Sequence, residues 1–290
     1  MRVTQSMIAN NSLRHLSNTY GRLGKLQEQM NTGKKITRPS DDPVSAMKGI
    51  AYRNNVLQTE QFKRNFTEAH NWIDNTDAAL DQATKAMHRI RELTVQASNG
   101  TYEEGQLDAI SKEITEIMNQ LENIANTEVG GKYIFNGTKT NEKPVDLGAD
   151  PPVFPTSSDE VKIELGKGVL IPVNMKPETV FTKDFFDSIQ NLVNDIKSEG
   201  DVGSHLSVLD GRIDELLKER ASLGAKSNRI DLMEQRVDQQ EEISKKMMSD
   251  NEDVEYERVI TELIMEESLL RASLSVSSRI VQPTLVDFLR

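Results

Sequence analysis

The residues of this 290-residue chain that could do chemistry are four histidines, a serine cluster and an acidic run. His15, His70, His88 and His205 could hold a metal or shuttle protons, but no two stand at i,i+4 and no HExxH occurs. No single helix therefore presents a paired metal site, and each histidine reads as a polar or partly packed helix position. Ser273, Ser275, Ser277 and Ser278 lack the GxSxG elbow of a nucleophile and read as small residues that let helices approach closely. The run Asp250, Glu252, Asp253, Glu255 and Glu257 lacks the central glycine and spacing of an EF-hand, and reads as a solvated helix start or hinge. Gly130, Gly131 and Gly137 are not spaced as a phosphate-binding loop. There is no cysteine, hence no thiolate, disulfide or Cys-based metal site. The pattern assembles no catalytic residue, no cofactor site and no metal site, so an enzyme is not expected.

Composition narrows the class. The net charge of −11 runs against a nucleic-acid role and against adhesion to an anionic membrane surface. No apolar run approaches transmembrane length. Residues 1–30 hold Arg2, Asn10, Asn11, Arg14, His15 and Arg22 and no continuous apolar stretch, so a cleavable signal peptide is not expected. With 36% hydrophobic but only 5% aromatic residues, a bundle built from Leu, Ile, Ala and Met fits better than a sandwich or barrel.

The elements follow from periodicity. Residues 3–30 carry Ala9, Leu13, Leu16, Tyr20, Leu23 and Met30 at spacings that alternate three and four with Gln27 as the polar exception, a helical stripe broken at Thr32-Gly33 and Arg38-Pro39. Asp42-Pro43 is a helix start: the carboxylate caps free N–H groups and proline suits the first helical position. A long helix then runs to about Ser98 on the stripe Phe62, Phe66, Ala69, Ile73, Thr76, Leu80, Ala83, Met87, Ile90, Thr94 and Ala97. A third helix carries Leu107, Ile110, Ile114, Ile117, Leu121 and Ile124, and should pack antiparallel to the second. Residues 132–200 hold six of the nine prolines, an alternating pair of runs around Gly166-Lys167-Gly168 that predicts a β-hairpin, and a short helix over residues 184–196. Helical periodicity resumes with Leu206, Leu209, Ile213, Leu216, Leu223, Ile230 and Val237. A last segment carries Tyr256, Ile260, Leu263, Leu270, Leu274, Val281 and Phe288, and Pro283 should kink or fray its end.

The expected fold is mainly α: an elongated helical bundle with coiled-coil termini and a small α+β, β-rich central insert. The expected division is terminal arms over 1–40 and 253–290, a helical core over 41–131 and 201–252, and an outer insert over 132–200. Such a chain goes out and comes back, so its ends meet. Charge supports their pairing: residues 1–38 hold seven Lys/Arg against one Glu, and residues 253–290 seven Asp/Glu against four Arg. The expected assembly interface is Leu13, Leu16, Tyr20 and Leu23 with Leu263, Leu270, Leu274, Val281 and Phe288.

Four stretches together resemble the flagellin superfamily. Thr32-Gly33-Lys34-Lys35-Ile36 followed by Pro39-Ser40-Asp41-Asp42-Pro43 is similar to its "SGKRI…SDDP" segment. Ile90-Arg91-Glu92-Leu93-Thr94-Val95-Gln96-Ala97 is similar to "R-x-R-E-L-x-V-Q-A", Tyr133-Ile134-Phe135-Asn136-Gly137-Thr138 to "YIFgGT", and the ending Phe288-Leu289-Arg290 to "LLR". They occur in family order across both helical halves, and the central insert carries no such match. Within the superfamily, Met1-Arg2-Val3-Thr4-Gln5-Ser6-Met7 and Arg38-Pro39-Ser40-Asp41-Asp42-Pro43-Val44 look more like the subunits that join hook to filament than like filament flagellin.

The resemblance implies an extracellular structural subunit of the bacterial flagellum, sent through the type III export channel without a cleaved signal. It implies self-association in a helical lattice through the termini, contact with the first hook-associated protein and with flagellin, and an export chaperone on the C-terminal region. No cofactor is implied. Filament flagellin and a coiled-coil adaptor or signalling module stay open as alternatives.

Overall fold

The computed structural model describes residues 5–99, 104–155, 159–176, 179–198 and 200–281. Among the described residues, six α-helices and four short strands follow in the order α1 (Gln5–Thr32), α2 (Pro43–Ser98), α3 (Glu104–Ala125), β1 (Glu128–Val129), β2 (Lys132–Tyr133), β3 (Lys162–Gly166), β4 (Val169–Pro172), α4 (Lys183–Lys197), α5 (His205–Glu252) and α6 (Tyr256–Val281). The chain forms two compact units, Met1–Gln58 with Glu241–Arg290, and Thr59–Gln240.

The unit Thr59–Gln240 holds the hydrophobic core. Phe66, Ala69, Leu80, Ala83, Met87 and Ile90 of α2 are fully buried, together with Ile114 and Leu121 of α3 and Leu209, Leu216, Leu223 and Ile230 of α5. These are the residues that helical spacing selects. Thr76 and Thr94 share the α2 stripe, and burying a hydroxyl there is costly unless it is satisfied. Each donates to the carbonyl one turn back, at 2.6 Å from Thr76 to Trp72 and 2.7 Å from Thr94 to Ile90.

The insert joins that same core. β3 and β4 form an antiparallel hairpin with Ile163 opposite Ile171, turning through Gly168 at φ +74°. Leu165, Ile171 and Val173 point inward while Lys162, Glu164 and Leu170 are exposed. α4 is capped by Thr182, whose hydroxyl accepts from the Phe185 N–H, and it buries Phe185, Phe186, Ile189, Leu192, Val193 and Ile196. Five of the eight phenylalanines gather here: Phe181 lies edge-on to Phe135 at 5.0 Å and to Phe185 at 5.9 Å, and Phe154 lies 6.0 Å from Phe186. The sparse aromatics are thus concentrated rather than spread, which lets residues 132–200 share one continuous core with the helices instead of forming a separate unit.

The other unit contains α1, the start of α2, the end of α5, and α6. Its limit lies at Gln58 and Glu241, inside α2 and α5, so this unit takes in the expected arms together with the helix ends that adjoin them. The reason is packing: residues 43–58 and 241–252 make contacts with the connectors beside them, described next. No helix is long and apolar enough to cross a membrane among the described residues.

Candidate assembly interface

In the unit of the chain ends, two connectors meet at a joint. The α1–α2 connector opens at Gly33, φ +69°, and the α5–α6 connector spans residues 253–255. Lys34 and Asp253 pair as an antiparallel bridge: the Lys35 N–H donates to the Glu252 carbonyl at 2.7 Å and the Val254 N–H to the Gly33 carbonyl at 3.0 Å. Around it Lys34 Nζ reaches Asp253 at 2.7 Å and Glu252 at 3.3 Å, and Arg53 reaches Glu252 at 2.8 Å. Asn251 Nδ2 donates to the Ser45 carbonyl at 3.0 Å, tying α5 to the first turn of α2.

That first turn is held by its cap. Asp42 Oδ1 accepts from the Val44 and Ser45 N–H groups at 3.0 and 3.1 Å, and Oδ2 accepts from the Ser45 hydroxyl at 2.7 Å, so α2 starts at Pro43. Those hydrogen bonds, the hydroxyl's first, hold the Asp42 carboxyl below its usual range.

The acidic run is therefore not uniformly solvated. Asp250, Glu255 and Glu257 are exposed, but Glu252 is buried. Burial works against its charge, yet hydrogen bonds from Arg53 and Lys34 outweigh that and hold the carboxyl below its ordinary range. The hydrogen bond from Lys34 does the same for Asp253. A one-dimensional run could not show this, because the cations arrive from residues 34 and 53.

α1 and α6 pack against each other antiparallel, with Arg22 on Glu266 at 3.0 Å and the Lys34–Asp253 bridge at one end. Burial shows which faces meet. On α1 the buried or half-buried line is Ser12, Leu16, Thr19, Leu23, Leu26 and Met30, and on α6 it is Val259, Leu263, Glu266, Leu270, Ser273 and Ser277. Both lines keep the four-three spacing of a coiled-coil seam. Both are mixed rather than apolar: Ser12, Thr19, Ser273 and Ser277 occupy places where leucine would be expected.

Further large apolar side chains lie off this line and are exposed. Leu13 and Tyr20 are 63% and 56% exposed on α1, and Ile260, Ile264, Met265 and Leu274 are exposed on α6; Leu269 and Val276, also exposed, flank the groove beside the seam with Ser12, Thr19 and Ser277. Exposed apolar side chains in such number on one helix pair make these faces the candidate for contact with another molecule.

The chain matches the bacterial flagellin N-terminal helical region over residues 3–140 and the bacterial flagellin C-terminal helical region over residues 206–289. The two regions cover most of the chain. It belongs to the flagellin family. The flagellar hook-associated protein 3 of Escherichia coli (strain K12) is 26% identical over 300 residues, spanning 94% of this chain and 95% of that protein. The flagellin of Bacillus subtilis (strain 168) is 28% identical over 252 residues, 80% of each chain. The crystal structure of flagellar hook-associated protein 3 from Legionella pneumophila superposes with a TM-score of 0.64 at 15% identity, covering 69% of this chain and 98% of that one, and so shares the fold.

The family regions take in both helical ends and the joint, and leave out most of the insert. Of the expected interface residues, Leu16, Leu23, Leu263 and Leu270 lie on the α1–α6 seam, half-buried. Leu13, Tyr20 and Leu274 do not: they face outward. Each expected stripe thus shares half its positions with the seam, and the other half stands one residue beside it. Apolar residues occupy two faces of each helix, and periodicity alone could not say which face the chain covers itself. The Val281 side chain and Phe288, with Pro283, lie outside the described residues. The signal that would have found the seam is a four-three line on which leucines alternate with small polar residues, as in Ser12, Leu16, Thr19 and Leu23. Of the histidines, His15 and His88 are exposed, His205 reaches Asp195 at 2.6 Å, and His70 reaches Glu234 at 2.9 Å.

Proposed function

We propose that this chain is the structural subunit joining the flagellar hook to the flagellin filament. The observation that carries this reading is the nearly end-to-end alignment with hook-associated protein 3, which takes in the central residues as well as the helical ends. The outward apolar faces of α1 and α6 support it, because a lattice subunit must carry one face for its own second helix and another for its neighbours. In this reading Leu16, Leu23, Leu263 and Leu270 close the chain's own pair, and Leu13, Tyr20 and Leu274 are covered by adjacent copies. Val281 and Phe288 are assigned to the same interface from the sequence alone. In this reading residues 1–40 and 253–290 serve as the arms of the lattice, residues 41–131 and 201–252 as its helical core, and residues 132–200 as the outer insert.

The partners are further copies of the chain, the first hook-associated protein on the hook side, flagellin on the filament side, and a cytoplasmic export chaperone that holds the C-terminal region. The subunit works outside the cell on the flagellum and travels there without a cleaved signal. Its role is mechanical, with no catalytic step.

Deleting the gene and examining culture medium and isolated hook–basal bodies tests the reading. Intact hooks without filaments, with unassembled flagellin released into the medium, are expected. Bare hooks with no secreted flagellin would make the chain the filament flagellin instead, and normal filaments would overturn both readings.

A further inference from the structure

We infer that His70, Asp231 and Glu234 form a divalent-cation site that ties α2 to α5. His70 Nε2 lies 2.9 Å from Glu234 Oε2 and 3.8 Å from Asp231 Oδ1, and one ligand atom from each of the three lies within 4.8 Å of the others. Asp231 and Glu234 stand at i,i+3 on α5, which places both carboxylates on the face turned to α2.

The neighbouring levels of the same helix pair show why this one differs. Two turns along α2, Arg220 of α5 forms paired bonds to Asp77 at 2.8 and 3.1 Å and a third to Asp81 at 2.6 Å. Two turns the other way, Lys63 meets Asp238 at 3.0 Å. At both levels a permanent cation faces the acid. At the level between them, two carboxylates face one imidazole nitrogen. A single ring proton serves one of them, here Glu234, and Asp231 is left beyond hydrogen-bond reach of that nitrogen. A guanidinium or ammonium would neutralise this level better. What imidazole offers in their place is a ligand electron pair.

The donor set selects the ion. One imidazole nitrogen with two carboxylate oxygens suits zinc and its first-row neighbours better than magnesium or calcium, which prefer oxygen alone. Metal–ligand distances of about 2.0–2.2 Å place such donors ~3.2–3.6 Å apart in a tetrahedron, between the two separations found here. All three side chains are partly exposed, so solvent can complete the shell and the ion exchanges freely. A bound ion would cross-link the two longest helices within one unit, in the same manner as the inward-facing carboxylate and histidine ligands of other bundles.

Zinc titration of the full chain by calorimetry, with cobalt absorption as a second readout, tests the assignment. One ion per chain, binding in the micromolar range, is expected. His70→Ala and Glu234→Gln should each weaken it at least ~10-fold, and zinc should raise the melting temperature of the unaltered chain and not of His70→Ala. His205→Ala, which removes the other carboxylate-paired histidine, should leave binding unchanged. Circular dichroism of each variant separates loss of the site from loss of fold. No binding up to about 1 mM zinc, or binding that His70→Ala leaves intact, overturns the inference.

Discussion

A Cβ added to Gly49 would stand 2.6 Å from Oε1 of Glu252. The glycine sits in the interior of α2, where it costs roughly 1 kcal/mol relative to alanine. Close approach of a buried carboxylate explains it. Gly49→Ala is therefore expected to destabilise the joint although it improves helix propensity. Replacing the exposed Gly21 by alanine, where nothing lies within 4 Å, should stabilise α1 by up to ~1 kcal/mol. Opposite signs of the change in denaturation midpoint would confirm the contrast, and two stabilising substitutions would refute it.

Glu252→Gln should destabilise the joint by ~2 kcal/mol at neutral pH, since it leaves Arg53 and Lys34 without their shared anion. The folded-state pKa of Glu252 is depressed, so its contribution is complete above the unfolded-state value and is lost as pH falls through the folded one. The gap between the unaltered chain and the variant should accordingly be constant above about pH 5 and close in more acidic solution. Thermal melts of both proteins from neutral to acidic pH provide the check; a gap that widens in acid would contradict the assignment.

Arg220→Lys should cost about 1 kcal/mol despite keeping the charge. A lysine cannot reproduce the paired bonds to Asp77 together with the third to Asp81, and the partial exposure of the cluster keeps the loss modest. Urea denaturation of the variant measures it. Stability equal to that of the unaltered chain would mean that only the charge matters there.

How far these relationships could be read in advance differs from element to element. The α2 stripe from Phe66 to Ala97 was legible because one face alone is apolar, and one face alone is buried. The hairpin at β3 and β4 was legible because alternation is a period that no helix shares, and Gly168 marks the turn. The division between seam and outward face in α1 and α6 was illegible, because apolar side chains lie on both sides of each helix and periodicity alone does not say which the chain covers itself. Burial of Glu252 was illegible, since its partners Lys34 and Arg53 are about two hundred residues away in sequence. The same holds for His70, whose carboxylates come from a second helix and not from i,i+4.

The last expectation concerns the free subunit. In α1 only Thr19 and Leu26 are buried among the described side chains, and in α6 only Val259, whereas α2 buries side chains on nearly every turn from Phe66 to Ala97. Fixing a backbone costs roughly 1–2 kcal/mol per residue, and a helix pair that buries so little of its apolar surface cannot offset that alone. Amides of α1 and α6 should exchange with solvent orders of magnitude faster than those of α2 near Leu80 in a dilute solution of the monomer. On assembly, coverage of Leu13, Tyr20, Ile264 and Leu274 should slow them. Tyr20→Ser with Ile264→Ser should leave the monomer's melting temperature within about 1 °C and abolish incorporation, since those side chains contribute nothing until a neighbour arrives. Equal protection of α1 and α2 in the monomer, or normal incorporation of the double variant, would rule out the outward faces as the lattice contact.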